Sequence, residues 1–170
     1  MQAMTTRPMR RTGGFTMIEM MVVVAVIAIL ALIAAPSYLD KIIREQVADA
    51  LPLADLATGR IGAGWLATQS FPADNVAAGL PVDDKIVNQY VRALSVRDGA
   101  VHLTFGNRAN GFLKDKVLTL RPAVVEDAPI VPVTWVCGYA EAPGKMTLKG
   151  DNKTTIPANY LPYKCRARGN

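Results

Sequence analysis

Hydrophobic and polar positions divide the chain into three regimes. The first is wholly apolar: from Phe15 to Ala35 there are 21 residues, and Glu19 is the one ionisable side chain among them. At 1.5 Å rise per residue this run makes about 31 Å of helix, close to a hydrocarbon core of roughly 30 Å. It is longer than the 7–15 residues or so of a secretory apolar region, and no small-x-small site closes its far end. The small residues Gly13-Gly14 stand before it instead. That order predicts a short basic leader that is removed and an apolar helix that is kept.

The second regime is amphipathic. Leu39, Ile43, Val47, Ala50, Ala54, Ala57 and Ile61 recur three or four apart, while Asp40, Lys41, Arg44, Glu45, Asp49 and Asp55 lie mostly off that stripe. Asp40–Arg44 and Lys41–Glu45 add opposite charges at helical spacing, each pair contributing about 0.2–0.5 kcal/mol. Pro36 and Pro52 each remove a helical hydrogen bond and so predict bends. Pro52 could instead end the first helix, but the stripe keeps phase across it and favours a bend. The end is expected between Gly62 and Ala67, where Gly59, Gly62 and Gly64 weaken the helix. Residues 68–97 carry Pro72, Gly79 and Pro81 without a sustained period, so they read as a connecting loop with a short helix around Asp84–Tyr90.

The third regime alternates. After the Asp98-Gly99 turn, Val101, Leu103 and Phe105 interleave with His102 and Thr104, the mark of a half-buried strand. Val117–Leu120 predicts a second strand, stopped by Pro122. Val131, Val133, Trp135 and Cys137 share one face of a third, with Pro132 at an edge or a strand start. Met146 and Leu148 suggest a fourth. The expected fold class is α+β, a long N-terminal helix packed on an antiparallel meander of about four strands.

Composition changes this picture little. The formal charge is +5, but taking Arg7, Arg10 and Arg11 of the leader from 19 basic side chains leaves 16 against 14 acidic ones, or +2. Such a balance does not call for a dedicated nucleic-acid surface. The leader's charge holds the N-terminus on the cytoplasmic side and sends everything after Ala35 across the membrane. On that side the two cysteines, Cys137 and Cys165, read as one disulfide, the alternative being two separate buried thiols.

Gly14-Phe15-Thr16-Met17-Ile18-Glu19, opening an apolar helix behind a short arginine-bearing leader, resembles the class III signal of type IV pilins, and the resemblance runs closely over about the first 55 residues. Met17 stands where that family most often has Leu. Trp135-Val136-Cys137 and Tyr160-Leu161-Pro162-Tyr163-Lys164-Cys165-Arg166 are similar to the disulfide-bounded end of type IVa major pilins. The bridge weighs against the secretion-system pseudopilins, which usually lack it. The resemblance implies cleavage between Gly14 and Phe15 by a prepilin peptidase/methylase, N-methylation of Phe15, and polymerisation through the helix, with Thr16 and Glu19 at the assembly site. It also implies that the loop 137–165 is surface exposed and borders a neighbouring subunit. A carboxylate within a bilayer costs about 2.5–3.5 kcal/mol, so Glu19 calls for a partner. The new Phe15 amine, in the same chain or a neighbour's, is one; solvation at the headgroup level is the alternative.

Other chemistry is sparse. His102 is the single histidine and falls on the polar side of its strand, where an exposed position is expected. None of the serines sits in a nucleophile elbow, Gly59-x-x-Gly62-x-Gly64 lacks the Lys-Ser/Thr of a P-loop, and no cysteine–histidine spacing fits zinc. Asn152-Lys153-Thr154 fits a glycosylation sequon, and the Asp151-Asn152 turn offers calcium a single carboxylate. No enzyme, metal or cofactor is expected. Lys145, Lys149, Lys153, Lys164, Arg166 and Arg168 make the C-terminus basic, either as a solvated rim or as a footprint for DNA or other anionic surfaces.

The expected organisation is a leader (1–14), a transmembrane and filament-core helix (15–35), its amphipathic continuation (36–67), the connecting loop (68–97) and a β domain (98–170). The expected function is a structural subunit of a type IV pilus, used for adhesion, twitching motility or DNA uptake. The alternative is a minor pilin, or a signal-anchored adhesin or DNA-binding protein outside the bulk polymer. Implied partners are further copies of the chain, the peptidase, the inner-membrane assembly machinery, the membrane before assembly, and DNA, host or abiotic surfaces. The implied location is the inner membrane of a Gram-negative cell, then an extracellular pilus.

Overall fold

The computed structural model describes residues 13–169. Arg7, Arg10, Arg11 and the rest of the leader as far as residue 12 lie outside the described residues. Contacts divide the chain into two units between Tyr38 and Leu39. Helix α1 (Met17–Thr68) begins in the first and continues in the second, passing both Pro36 and Pro52.

In the first unit every described side chain from residue 13 to residue 33 is exposed, although nearly all are apolar. The stretch is long and apolar enough to cross a membrane. A surface of Val, Ile, Leu and Met without a protein core beneath it calls for lipid or other apolar helices around it.

In the second unit the expected stripe is buried from Ile43 onward: Val47, Ala50, Ala54 and Ala57 are fully enclosed and Ile61 nearly so. Leu39, assigned to the same stripe, is exposed. The small side chains of Ala50, Ala54 and Ala57 keep this face flat, so the helix joins one core with Leu94, Leu103, Phe105 and Leu118 of the sheet. The helix ends one residue beyond the expected window, with Gln69 in the left-handed region (φ 54°) and its N–H bonded to the Trp65 carbonyl.

The sheet is antiparallel, in the order β1 (Val91–Arg97), β2 (Ala100–Phe105), β3 (Val117–Val124), β4 (Thr134–Cys137), with β5 (Thr147–Leu148) added to β3. A strand therefore lies inside the stretch expected to be a loop, and the expected short helix shrinks to a 3-10 turn at Asp83–Lys85. β1 hides its period because two residues, Arg92 and Ala93, face the single step between Phe105 and Thr104, a bulge that puts Val91, Leu94 and Val96 in the core. Asp98 (φ 48°) and Gly99 (φ 80°) form the two-residue turn to β2, both in the left-handed region that tight hairpins need.

β3 runs through Pro122 rather than stopping before it. β4 pairs with residues 120–123 on one edge, while the other edge belongs to β2 as far as Leu120 and to β5 from Ala123. Pro122 faces that second edge, where its carbonyl accepts from the Lys149 N–H, in the gap between β2 and β5. No ladder N–H is needed there. β4 begins after Val131, Pro132 and Val133, so it is shorter than expected.

His102 is buried, with 3% of its surface exposed, contrary to the expected solvent position. The cause is a strap, residues 149–155, crossing the outer face of the sheet. It starts at the Lys149–Pro122 bond and passes Ala100, where a Cβ on Gly150 would lie 2.7 Å from the alanine Cβ. It docks on the far side of β3, where Thr155 N–H donates to the Val117 carbonyl at 2.9 Å.

Candidate assembly segment and disulfide-bounded loop

The chain enters α1 through a reciprocal pair. Thr16 Oγ1 accepts from the Glu19 N–H at 3.3 Å, and the Thr16 N–H donates to the Glu19 carboxylate at 3.4 Å. This is a capping box, and it sets a negative charge against the positive end of the helix. Both bonds are long and both side chains are exposed, so the carboxylate keeps room for a second, stronger donor. Gly13 and Gly14 have open space where a Cβ would sit, and Phe15 is 79% exposed, leaving the Gly14–Phe15 bond accessible.

At the other end of the chain Cys137 and Cys165 are disulfide-bonded, and both are buried. Closure requires the glycine that follows Cys137. Gly138 takes φ 59°, and a Cβ there would lie 2.7 Å from the Cys165 carbonyl oxygen. The next residue, Tyr139, donates its N–H to that same carbonyl at 2.9 Å. Nothing in the sequence pattern singled out Gly138, although a glycine beside a bridged cysteine is a cue to close backbone approach. The element Leu161–Arg166 is held by its own arginine: Arg166 Nε donates to the Leu161 carbonyl at 2.9 Å and Nη2 to that of Asn159 at 3.2 Å.

The six basic residues singled out from the sequence do not share one surface role. Arg166 serves the backbone, and Lys149 is bonded to the Glu126 carboxylate. Lys145, Lys153, Lys164 and Arg168 are exposed. Lys164, Arg166 and Arg168 come together with Tyr163 and Glu141 around a shallow depression of about 630 Å³. The sequon residues are likewise used by the fold, since Asn152 Nδ2 donates to the Gly138 carbonyl and Thr154 Oγ1 accepts from the Thr119 N–H.

On the outer sheet face, burial pushes the His102 imidazole down to about 4, helped by the positive charges of Lys153 and Arg97 and opposed by Asp151. Burial also lowers the Arg121 guanidinium from its usual value. Among the described residues no cluster of three or more His, Cys, Asp or Glu side chains is arranged to hold a metal.

Residues 44–166, which carry the amphipathic helix, the sheet and the bridge, match the family model described as pilin, bacterial filament. The chain belongs to the pilin family. A second model, the prokaryotic N-terminal methylation motif, matches residues 9–35 of this pilin and so covers the glycine pair, the capping box and the apolar helix. The pilin is 33% identical to the type IV major pilin protein PilE of Neisseria gonorrhoeae over 162 residues, covering 90% of this chain and 93% of the relative. It is 30% identical to a fimbrial protein of Neisseria meningitidis serogroup B over the same shares. With a fimbrial protein of Moraxella nonliquefaciens it shares 32% identity over 91% of this chain and 96% of the relative.

Proposed function

We propose that this pilin is the repeating structural subunit of a type IV pilus. The reading rests above all on one observation: an accessible apolar helix behind a methylation motif belongs to the same chain as a pilin domain closed by a disulfide. A peptidase cuts between Gly14 and Phe15, and the Phe15 amine is methylated. Until assembly the helix is held in the inner membrane of a Gram-negative cell, with residues after Ala35 on the far side.

Assembly then exchanges lipid for copies of the same helix. Apolar side chains from Phe15 to Ile33 keep their apolar surroundings, so the transfer costs little per residue. The cut leaves a cationic amine near Glu19, and neutralising that carboxylate across neighbouring subunits fixes their stagger. Pro36 and Pro52 supply places where the helix axis can bend during the transfer. The finished filament serves attachment, twitching motility or DNA uptake at the cell surface.

Deleting the coding sequence and restoring it in trans tests the proposal. Surface filaments seen by electron microscopy should vanish and return, and this chain should be the main polypeptide of the sheared material. Filaments at unchanged yield in the deletion strain would overturn it.

A further inference from the structure

We propose that His102 is an acid-sensitive latch for the strap 149–155, holding it on the outer sheet face while the imidazole is neutral and releasing it on protonation. Thr119 decides where the imidazole proton lies. Its Oγ1 accepts the Lys153 N–H at 3.0 Å and lies 2.9 Å from His102 Nδ1. The hydroxyl has one proton, and the imidazole nitrogen is its available acceptor. His102 is therefore neutral, with its proton on Nε2, and Nδ1 receives the Thr119 hydroxyl. The opposite tautomer would strand the hydroxyl proton, while Nε2 has no partner among the described residues in either form.

Nε2 itself is buried and has no hydrogen-bond partner among the described residues. A second proton, on Nδ1, makes a cation whose Nε2–H already lacks an acceptor. It turns Nδ1 into a donor, takes away the acceptor of the Thr119 hydroxyl, and adds positive charge beneath Lys153. The charged groups facing the ring are Lys153 and Asp151 from the strap and Arg97 from β1, so one carboxylate opposes two cations. Thr119 from β3 contributes no charge. The strap's other ties are the Lys149–Glu126 ion pair at its start and neutral hydrogen bonds: Lys149 N–H to the Pro122 carbonyl, Asn152 to the Gly138 carbonyl, the Thr119 N–H to Thr154 Oγ1, the Tyr139 hydroxyl to the Thr154 carbonyl, and two between Thr155 and Val117. Release relieves the histidine without breaking the disulfide or the core.

An open strap returns His102 toward its ordinary value near 6.5, while the closed strap keeps it at about 4. Between those values the open form binds the extra proton, so the closed form loses ground as pH falls from 6.5 to 4 and no further below that. Opening should increase on the order of 10²-fold across the window.

Two measurements on the full chain in detergent micelles test this. Because the chain has one histidine, its imidazole resonances are unambiguous. They should show the Nε2–H tautomer at pH 7 and a midpoint well below 6.5; an Nδ1–H tautomer or an ordinary midpoint overturns the latch. Amide-exchange protection factors at Lys153 and Thr155 should fall on the order of 10²-fold between pH 6.5 and 4, while those of Leu103 and Leu118 stay level. In His102→Leu the strap should lose that pH dependence. Equal pH dependence in both proteins, or simultaneous loss in strap and core, contradicts the proposal; if the variant does not fold, the strap–core contrast in the unaltered chain still decides.

Discussion

Asn75 completes the open edge of β1: its Oδ1 accepts the Val96 N–H at 2.6 Å and its Nδ2 donates to the Leu94 carbonyl at 2.9 Å. The same amide reaches the Pro81 carbonyl at 3.0 Å, and the residue is buried. One side chain thus imitates a neighbouring strand and closes an edge that would otherwise recruit other chains. Replacing Asn75 by Ala leaves two buried backbone groups without partners, a loss of about 2–4 kcal/mol. Urea unfolding in micelles should show it, together with faster aggregation. A midpoint unchanged from the unaltered chain would mean that water replaces the amide.

Gly138→Ala should be as damaging as a core truncation. The new methyl meets the Cys165 carbonyl and the residue must keep φ 59°, so strain of roughly 1–3 kcal/mol adds to the clash. Gly144→Ala is the control, because its φ is also positive (58°) while nothing lies within 4 Å of its Cβ. The first variant should unfold at clearly lower urea than the second; equal midpoints would show that the close approach at Gly138 relaxes freely.

Removing the bridge with Cys137→Ser and Cys165→Ser together frees a loop of about 29 residues and should lower stability by roughly 3–4 kcal/mol. Both cysteines are buried, so the serine pair also leaves hydroxyls in an apolar setting. The thermal midpoint should drop by about 10 °C, with the helix signal retained below it. A shift under about 2 °C would mean that the C-terminal segment is held by its hydrogen bonds alone.

Glu19 and Thr16 share a capping box, yet their substitutions should separate. Thr16→Ala removes a cap and costs about 0.5–2 kcal/mol at the helix start. Glu19→Val also removes the charge that the proposal places between subunits. It should leave the chain in the membrane and reduce sheared filament yield at least about tenfold, a difference of roughly 1.4 kcal/mol per tenfold. Equal yields for the two variants would reduce Glu19 to a helix cap.

Helical periodicity made most of α1 legible, because one stripe of small and branched residues keeps phase from Ile43 to Ile61. The same rule overreached at Leu39, which shares the phase but stays exposed. β1 was hidden by its bulge at Arg92, although Asp98-Gly99 is a hairpin signal that demands a strand on each side. His102 could not be placed by alternation, since the cover over it comes from residues 149–155, distant in sequence. Pro122 misled for a similar reason: which edge of β3 it faces depends on where β2 ends and β5 begins. The methylation motif over residues 9–35 and the cysteine pair were legible as local signals. The basic cluster was visible as composition, but Glu126 and the backbone carbonyls that take up Lys149 and Arg166 were not.

We propose above all that the apolar helix is trimmed at its front and then packs against copies of itself. Intact-mass and tandem mass spectrometry of polypeptide sheared from the cell surface tests it most directly. The recovered chain should begin at Phe15, carry one N-terminal methyl group and retain the Cys137–Cys165 bond. A surface polypeptide that still begins at Met1, or one lacking residues 15–35, would contradict it.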